Sequence, residues 1–143
     1  MHINQPNNCP KCSEILNRYP GLHKPLLDWF LDFRRRVPEA HVSWAGRGKA
    51  DQELFFSKGL SRAHYGQSAH NYNAAIDVFR LIQTQASFES PWYRSVVGPE
   101  VKQHPELCWY GEPGISFYEL PHVEWRAWRA LKEAGVLKLV EPV

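Results

Sequence analysis

The sequence predicts a small α+β domain, an antiparallel sheet with helices packed on it. Three observations carry that prediction. The chain is 143 residues long with 43% apolar residues, enough for one core and too short for two. One stretch follows the helical period closely. The remaining apolar runs are short, are punctuated by the 11 prolines and 9 glycines, and alternate in type along the chain.

Taken in order, residues 1–12 are polar and rich in Asn and Pro, and read as a loose arm. Residues 1–20 are assigned to that arm and 21–143 to the domain proper. Residues 25–37 read as a helix, with Leu26, Phe30, Phe33 and Val37 on one face and Pro25 at the first helical position. Arg34, Arg35 and Arg36 fall in its last turn, where cations favour the dipole, and read as a solvated helix end. Residues 40–45 read as a strand, and 49–58 as a helix closed by Gly59. Residues 74–79 read as a strand. Residues 90–106 read as loop with a short helix after Pro91. Residues 107–110 and 120–125 read as strands. Residues 126–134 read as a helix with Trp128 and Leu131 inward, stopped by Gly135, and 136–140 as an edge strand.

Composition narrows the function classes. Seventeen basic and 15 acidic residues give a net charge of +2, too balanced for a nucleic-acid binder. No apolar run approaches the roughly 20 residues that span a bilayer, so no membrane insertion is expected. The first residues lack a basic stretch leading into an apolar one, which predicts synthesis in the cytoplasm without a signal peptide. A monomer is the default. Three cysteines, an odd number, argue against a disulfide framework. Cys9-Pro10-Lys11-Cys12 has the spacing of half a structural zinc site, but no second Cys-x-x-Cys or His-x(3–5)-His completes it. The plainer reading is an exposed thiol pair, and a zinc-ribbon protein is the weakest functional reading.

The chemistry concentrates in two segments. Ser68-Ala69-His70 leads to Asp77 seven residues on, and Glu119-Leu120-Pro121-His122 follows at a distance. Hydrolytic zinc takes three protein ligands and leaves one position open, and His70, Asp77 and His122 supply two nitrogens and an oxygen. Glu119, three residues before His122 with Pro121 between, is placed to serve as general base. One zinc per chain is expected. Taken singly, a histidine on a strand is a satisfied polar group and an aspartate a turn residue; the joint spacing favours a ligand set. His64 and His104 are rival ligands, read as solvated or as supporting residues. Ser68 is open to a substrate contact or a turn role. Tyr72, Trp109 and Tyr118 flank the segments and are open to lining a groove or to core packing.

At these residues the chain resembles the D-Ala-D-Ala carboxypeptidase and L-alanyl-D-glutamate endopeptidase family of zinc peptidases. The family's first motif, Ser-x-His-x-x-Gly-x-Ala-x-Asp, is matched by Ser68, His70, Ala75 and Asp77. Its second, an acid two residues from Pro-His-x-Glu, is matched by Glu119 to Glu124. Arg47 with Gln52 resembles an upstream Arg-x(4)-Gln element, and Trp109-Tyr110-Gly111 a tryptophan–glycine segment. Asn73 departs from the family's glycine, and Asn is the residue that best tolerates positive φ in its place. The resemblance covers roughly residues 40 to 125. It implies a hedgehog-like peptidase fold, zinc on His70, Asp77 and His122, Glu119 as base, and Arg47 as transition-state stabiliser. Gln52, Ser68, Tyr72 and Trp109 would meet the substrate. It further implies hydrolysis of peptidoglycan stem peptides, with the endopeptidase favoured over a D,D- or L,D-carboxypeptidase. The setting it suggests is that of a phage-type endolysin, released to act on the wall. A non-catalytic zinc module of the same fold is the alternative from another class.

Overall fold

In the computed structural model, residues 2–3, 9–111 and 119–140 are described. Their elements are α1 (Pro10–Asn17), α2 (Lys24–Arg36), β1 (Ala40–Trp44), α3 (Lys49–Ser57), a 3-10 turn (Ala69–Tyr72), β2 (Ala75–Ile82), β3 (Gln85–Ser87), α4 (Ser90–Trp92), a π turn (Tyr93–Val97), α5 (Gly98–Lys102), β4 (Leu107–Tyr110), β5 (Glu119–Trp125) and α6 (Trp128–Glu133). The sheet runs β1-β2-β5-β4 with every pair antiparallel, and β3 folds back on the end of β2. The α+β expectation holds.

Strand alternation divides the sheet into two faces. Val42, Ile76, Val78 and Val123 point into the main core, together with Leu26, Trp29, Phe30 and Phe33 of α2. Each of these large side chains contributes about 1.5–3 kcal/mol by leaving water. The alternate positions, among them Asp77 and His122, face the other way and are free for chemistry. Those two residues stand directly opposite each other in the β2–β5 register.

Four sequence expectations need correction. Residues 9–12 are not part of a loose arm: Cys9 caps α1, and Cys9, Cys12 and Leu16 are buried in the main core. Residues 90–102 are not loop but continuous helical turns with a π turn at the centre. Pro91, Gly98 and Pro99 hide that helix in the sequence, although two of its prolines sit at first-turn positions where they do no harm. The π turn brings Tyr93 fully inside, where its hydroxyl donates to the Val78 carbonyl at 2.6 Å. Residues 136–140 form no strand; Leu137 packs on the second, smaller core, and the Val140 amide donates to the Asn71 carbonyl. Finally, the arginine triplet is a solvated end only in part, at Arg35 and Arg36. Arg34 is buried, and Arg36 makes a forked pair with Glu100 at 2.7 and 3.1 Å.

Glu100 also accepts from Trp29 Nε1 at 3.0 Å and meets His104 Nε2 at 2.9 Å, so one buried carboxylate ties α2 to α5. Burial alone would raise its pKa, but these donors outweigh that and hold it below the ordinary range. A depressed carboxylate contributes stability above its unfolded pKa and loses it as pH falls through the folded one. Glu100→Gln is expected to cost about 1–3 kcal/mol at neutral pH in denaturant titrations, with the slope unchanged. The deficit should shrink as pH falls below the usual carboxylate range.

Candidate active site

Asn73 sets up the site. It closes the 3-10 turn in the left-handed conformation (φ 55°, ψ 35°), as expected of an asparagine in that position. The reversal lets His70 fold back over Asp77, seven residues along. Ser68 caps the turn, accepting from the His70 amide at 3.3 Å, while Asn71 Oδ1 accepts from the Ser68 and Gly66 amides. Asn71 Nδ2 in turn donates to the Arg47 carbonyl and to Gln52.

His70, Asp77 and His122 converge. His70 Nε2 lies 3.1 Å from Asp77 Oδ1 and 3.2 Å from His122 Nδ1, and His122 Nδ1 lies 3.5 Å from Asp77 Oδ1. All three residues are buried. The outer nitrogens are held by groups that accept. His70 Nδ1 donates to the Ala45 carbonyl at 2.7 Å, and His122 Nε2 donates to Glu124 at 2.7 Å. A carbonyl oxygen has no proton to give, so His70 must carry its hydrogen on Nδ1, which leaves Nε2 with a lone pair turned inward. The carboxylate favours the corresponding tautomer of His122. Glu124 is itself fixed by Tyr110 at 2.9 Å and Trp128 at 2.8 Å. The sequence named Glu124 only as part of a motif. Its alternation with His122 on β5, which puts both on one face, was the available signal.

The charges of the protein create a strong demand for a cation here. Burial would lower the pKa of His122, but its bonds to Asp77 and Glu124 overcome this and raise it to about 10. Burial lowers that of His70. Asp77 is held well below the carboxylate range despite burial, first by His70 and His122. Glu119 goes the other way: burial raises its pKa, and the like charges of Asp77 and Glu124 add to the shift. Glu119 lines the same cavity as the triad.

Arg47 is buried beside them. Its guanidinium lies 3.4 Å from Asp77 Oδ2, bonds Gln52 at 3.2 Å and rests 4.3 Å over the Phe55 ring. The cavity in front of these groups has a volume of about 460 Å³, within the usual range for small-ligand sites. Ser68 lines it, with Arg62 and Arg129 at its walls.

Three expected substrate contacts are corrected. Gln52 is wholly buried, with its amide spent on Ser61, Ala63, Arg47 and Asn71, so it positions Arg47 rather than meeting a ligand. Tyr72 stacks on Trp128 and bonds the Gly66 carbonyl. Trp109 bonds the Leu120 carbonyl and belongs to the main core. For both aromatics, packing is the role observed. Tyr118 lies outside the described residues. The rival histidines stand apart from the triad: His64 pairs with Glu53, and His104 with Glu100.

No family model matches the chain, and no curated protein does. A solved structure does. The chain superposes on the crystal structure of the Serratia marcescens L-Ala D-Glu endopeptidase ChiX with a TM-score of 0.67, over 91% of this chain and 93% of that one. The fold is the same. Sequence identity is 20%, which leaves the function to be argued from the site. No helix among the described residues is long and apolar enough to cross a membrane.

Asn71 is the residue on which the local geometry turns. Asn71→Ala strands several buried partners at once and is expected to cost at least about 2 kcal/mol by thermal or denaturant unfolding. Replacing the exposed Gln67, four residues earlier, should cost no more than about 1 kcal/mol, the worth of the bond its Oε1 accepts from the His64 amide.

Proposed function

We propose that the protein is a zinc peptidase that hydrolyses peptidoglycan stem peptides, cutting between L-alanine and D-glutamate in the manner of a phage-type endolysin. The observation that carries this reading is the pair of imidazoles whose outer nitrogens are tied to oxygens, so that both inner nitrogens face the Asp77 carboxylate in a buried pocket. Two nitrogens and one oxygen suit zinc, and their separations of 3.1–3.5 Å match the edges, about 3.3 Å, of a tetrahedron with zinc–ligand bonds near 2.0 Å. His70, Asp77 and His122 would hold the metal. The shared fold with an L-Ala D-Glu endopeptidase supports the choice of scissile bond.

Zinc, when bound, supplies a Lewis acid that polarises the scissile carbonyl and makes water more acidic. The remaining steps belong to the chain. Glu119 takes the proton of the attacking water and returns it to the leaving amine. Arg47, fixed by Gln52 and Asp77, offers its charge to the oxygen that becomes anionic. Stem peptides are anionic, and the guanidinium groups of Arg62 and Arg129 at the cavity walls supply the complement.

Glu119→Ala should keep its zinc and lose at least about a hundredfold in turnover on purified peptidoglycan. Mass spectrometry of the digest should find new amino termini at D-glutamate. Release of free D-alanine alone would assign a carboxypeptidase, and unchanged cleavage by the variant would remove Glu119 from the mechanism.

Glu124→Gln keeps the shape of the side chain and weakens its hold on His122. Zinc affinity in a chelator competition is expected to fall about 10- to 100-fold.

A further inference from the structure

A second group of metal-ligating side chains lies outside the site described above. Cys9, Cys12, His2 and His41 place one ligand atom each within 4.8 Å of all the others. His2 Nδ1 is 3.2 Å from Cys9 Sγ and 3.4 Å from Cys12 Sγ, and His41 Nδ1 is 3.3 Å from Cys12 Sγ. A tetrahedral zinc with bonds of about 2.3 Å to sulfur and 2.0 Å to nitrogen has sulfur–nitrogen edges of about 3.5 Å. The observed contacts fall just inside that value.

Ordinary hydrogen bonding accounts poorly for this arrangement. A thiol has one weak proton to give, yet Cys12 Sγ meets two imidazoles and His2 Nδ1 meets two sulfurs. Fully buried His41 meets the sulfur through Nδ1, and its Nε2 has no partner among the described residues. Neither cysteine is in a disulfide, and both are buried. The surroundings support a metal. Cys9 is the cap of α1, and its sulfur accepts the Cys12 amide at 3.3 Å, a knuckle that presents two sulfurs to one point. The buried Arg34 donates to the Ile3 carbonyl, which secures the segment carrying His2.

We infer that Cys9, Cys12, His2 and His41 form a second, structural zinc site that staples the N-terminal segment and α1 to β1. The full Cys2His2 set leaves no open position, so the ion does no hydrolysis. The zinc half-site visible in the sequence is thereby completed by histidines at positions 2 and 41, too widely spaced to be recognised as partners.

The test compares the full-length wild type with Cys9→Ser and His122→Ala, measuring zinc per chain by elemental analysis and the absorption spectrum after cobalt substitution. Wild type should bind one equivalent more zinc than either variant. Its cobalt form should show a thiolate-to-metal charge-transfer band, which the nitrogen and oxygen ligands of the other site cannot give. His122→Ala should keep that band and Cys9→Ser should lose it, so each site succeeds or fails by itself. Should Cys9→Ser fail to fold, the wild-type spectrum and zinc count decide alone, with His2→Ala, at a half-exposed position, as the milder variant expected to surrender this zinc first to a chelator. A wild-type cobalt spectrum without the thiolate band, or a Cys9–Cys12 disulfide in the purified protein, would overturn the proposal.

Discussion

The buried carboxylate of Asp77 is the constraint around which the rest of the structure is arranged. A carboxylate in so dry a place costs several kcal/mol unless it is well paired. Here Oδ1 faces His70 and His122, and Oδ2 faces Arg47. Each partner arrives on a different element: the 3-10 turn, β5, and the segment after β1. The β1–β2 register sets Trp44 against Asp77, three residues before Arg47, and the β2–β5 register sets His122 against it. Satisfying one acid therefore fixes the relative positions of two strands and a turn.

Around that centre a second layer does the aiming. Ala45 and Glu124 take the outer hydrogens of the two histidines, Gln52 holds the Arg47 fork, and Asn71 links the turn to both. The same layer separates the acids by environment. Asp77 and Glu124, paired with cations and donors, are held ionised, whereas burial and neighbouring charge push Glu119 toward its protonated form. An acid that stays charged suits a ligand, and an acid poised nearer neutrality suits proton transfer.

How much of this was legible in the sequence depended on whether local pattern carried the information. The triad was legible because His70, Asp77 and His122 fall in compact motifs whose spacing implies convergence. Asn73 was legible through its tolerance of positive φ. Gln52 was misread because a motif position says nothing of burial, and its four internal partners become visible only in three dimensions. The helix at 90–102 was obscured by prolines and a glycine that penalise helix in isolation but are absorbed by first-turn positions and the π turn. The burial of α1 was missed because a polar composition masked Cys9, Cys12 and Leu16.

The two candidate metal-binding clusters are linked through β1 and β2. His41 stands opposite Phe79 and packs against its ring, while Asp77, two residues along β2, shares that face of the sheet. Beyond the bulge at the other end of β1, the Ala45 carbonyl sets the His70 tautomer and Arg47 reaches Asp77. Whatever fixes His41 thus fixes the strand that orients the first cluster. β1 is an edge strand of five residues, paired along one side only among the described residues, and such strands fray readily. Tying His41 to α1 and to the N-terminal segment counters that tendency at the end of β1 away from Arg47. None of the four side chains lines the cavity, so rigidity is supplied without any group being placed where a substrate must enter.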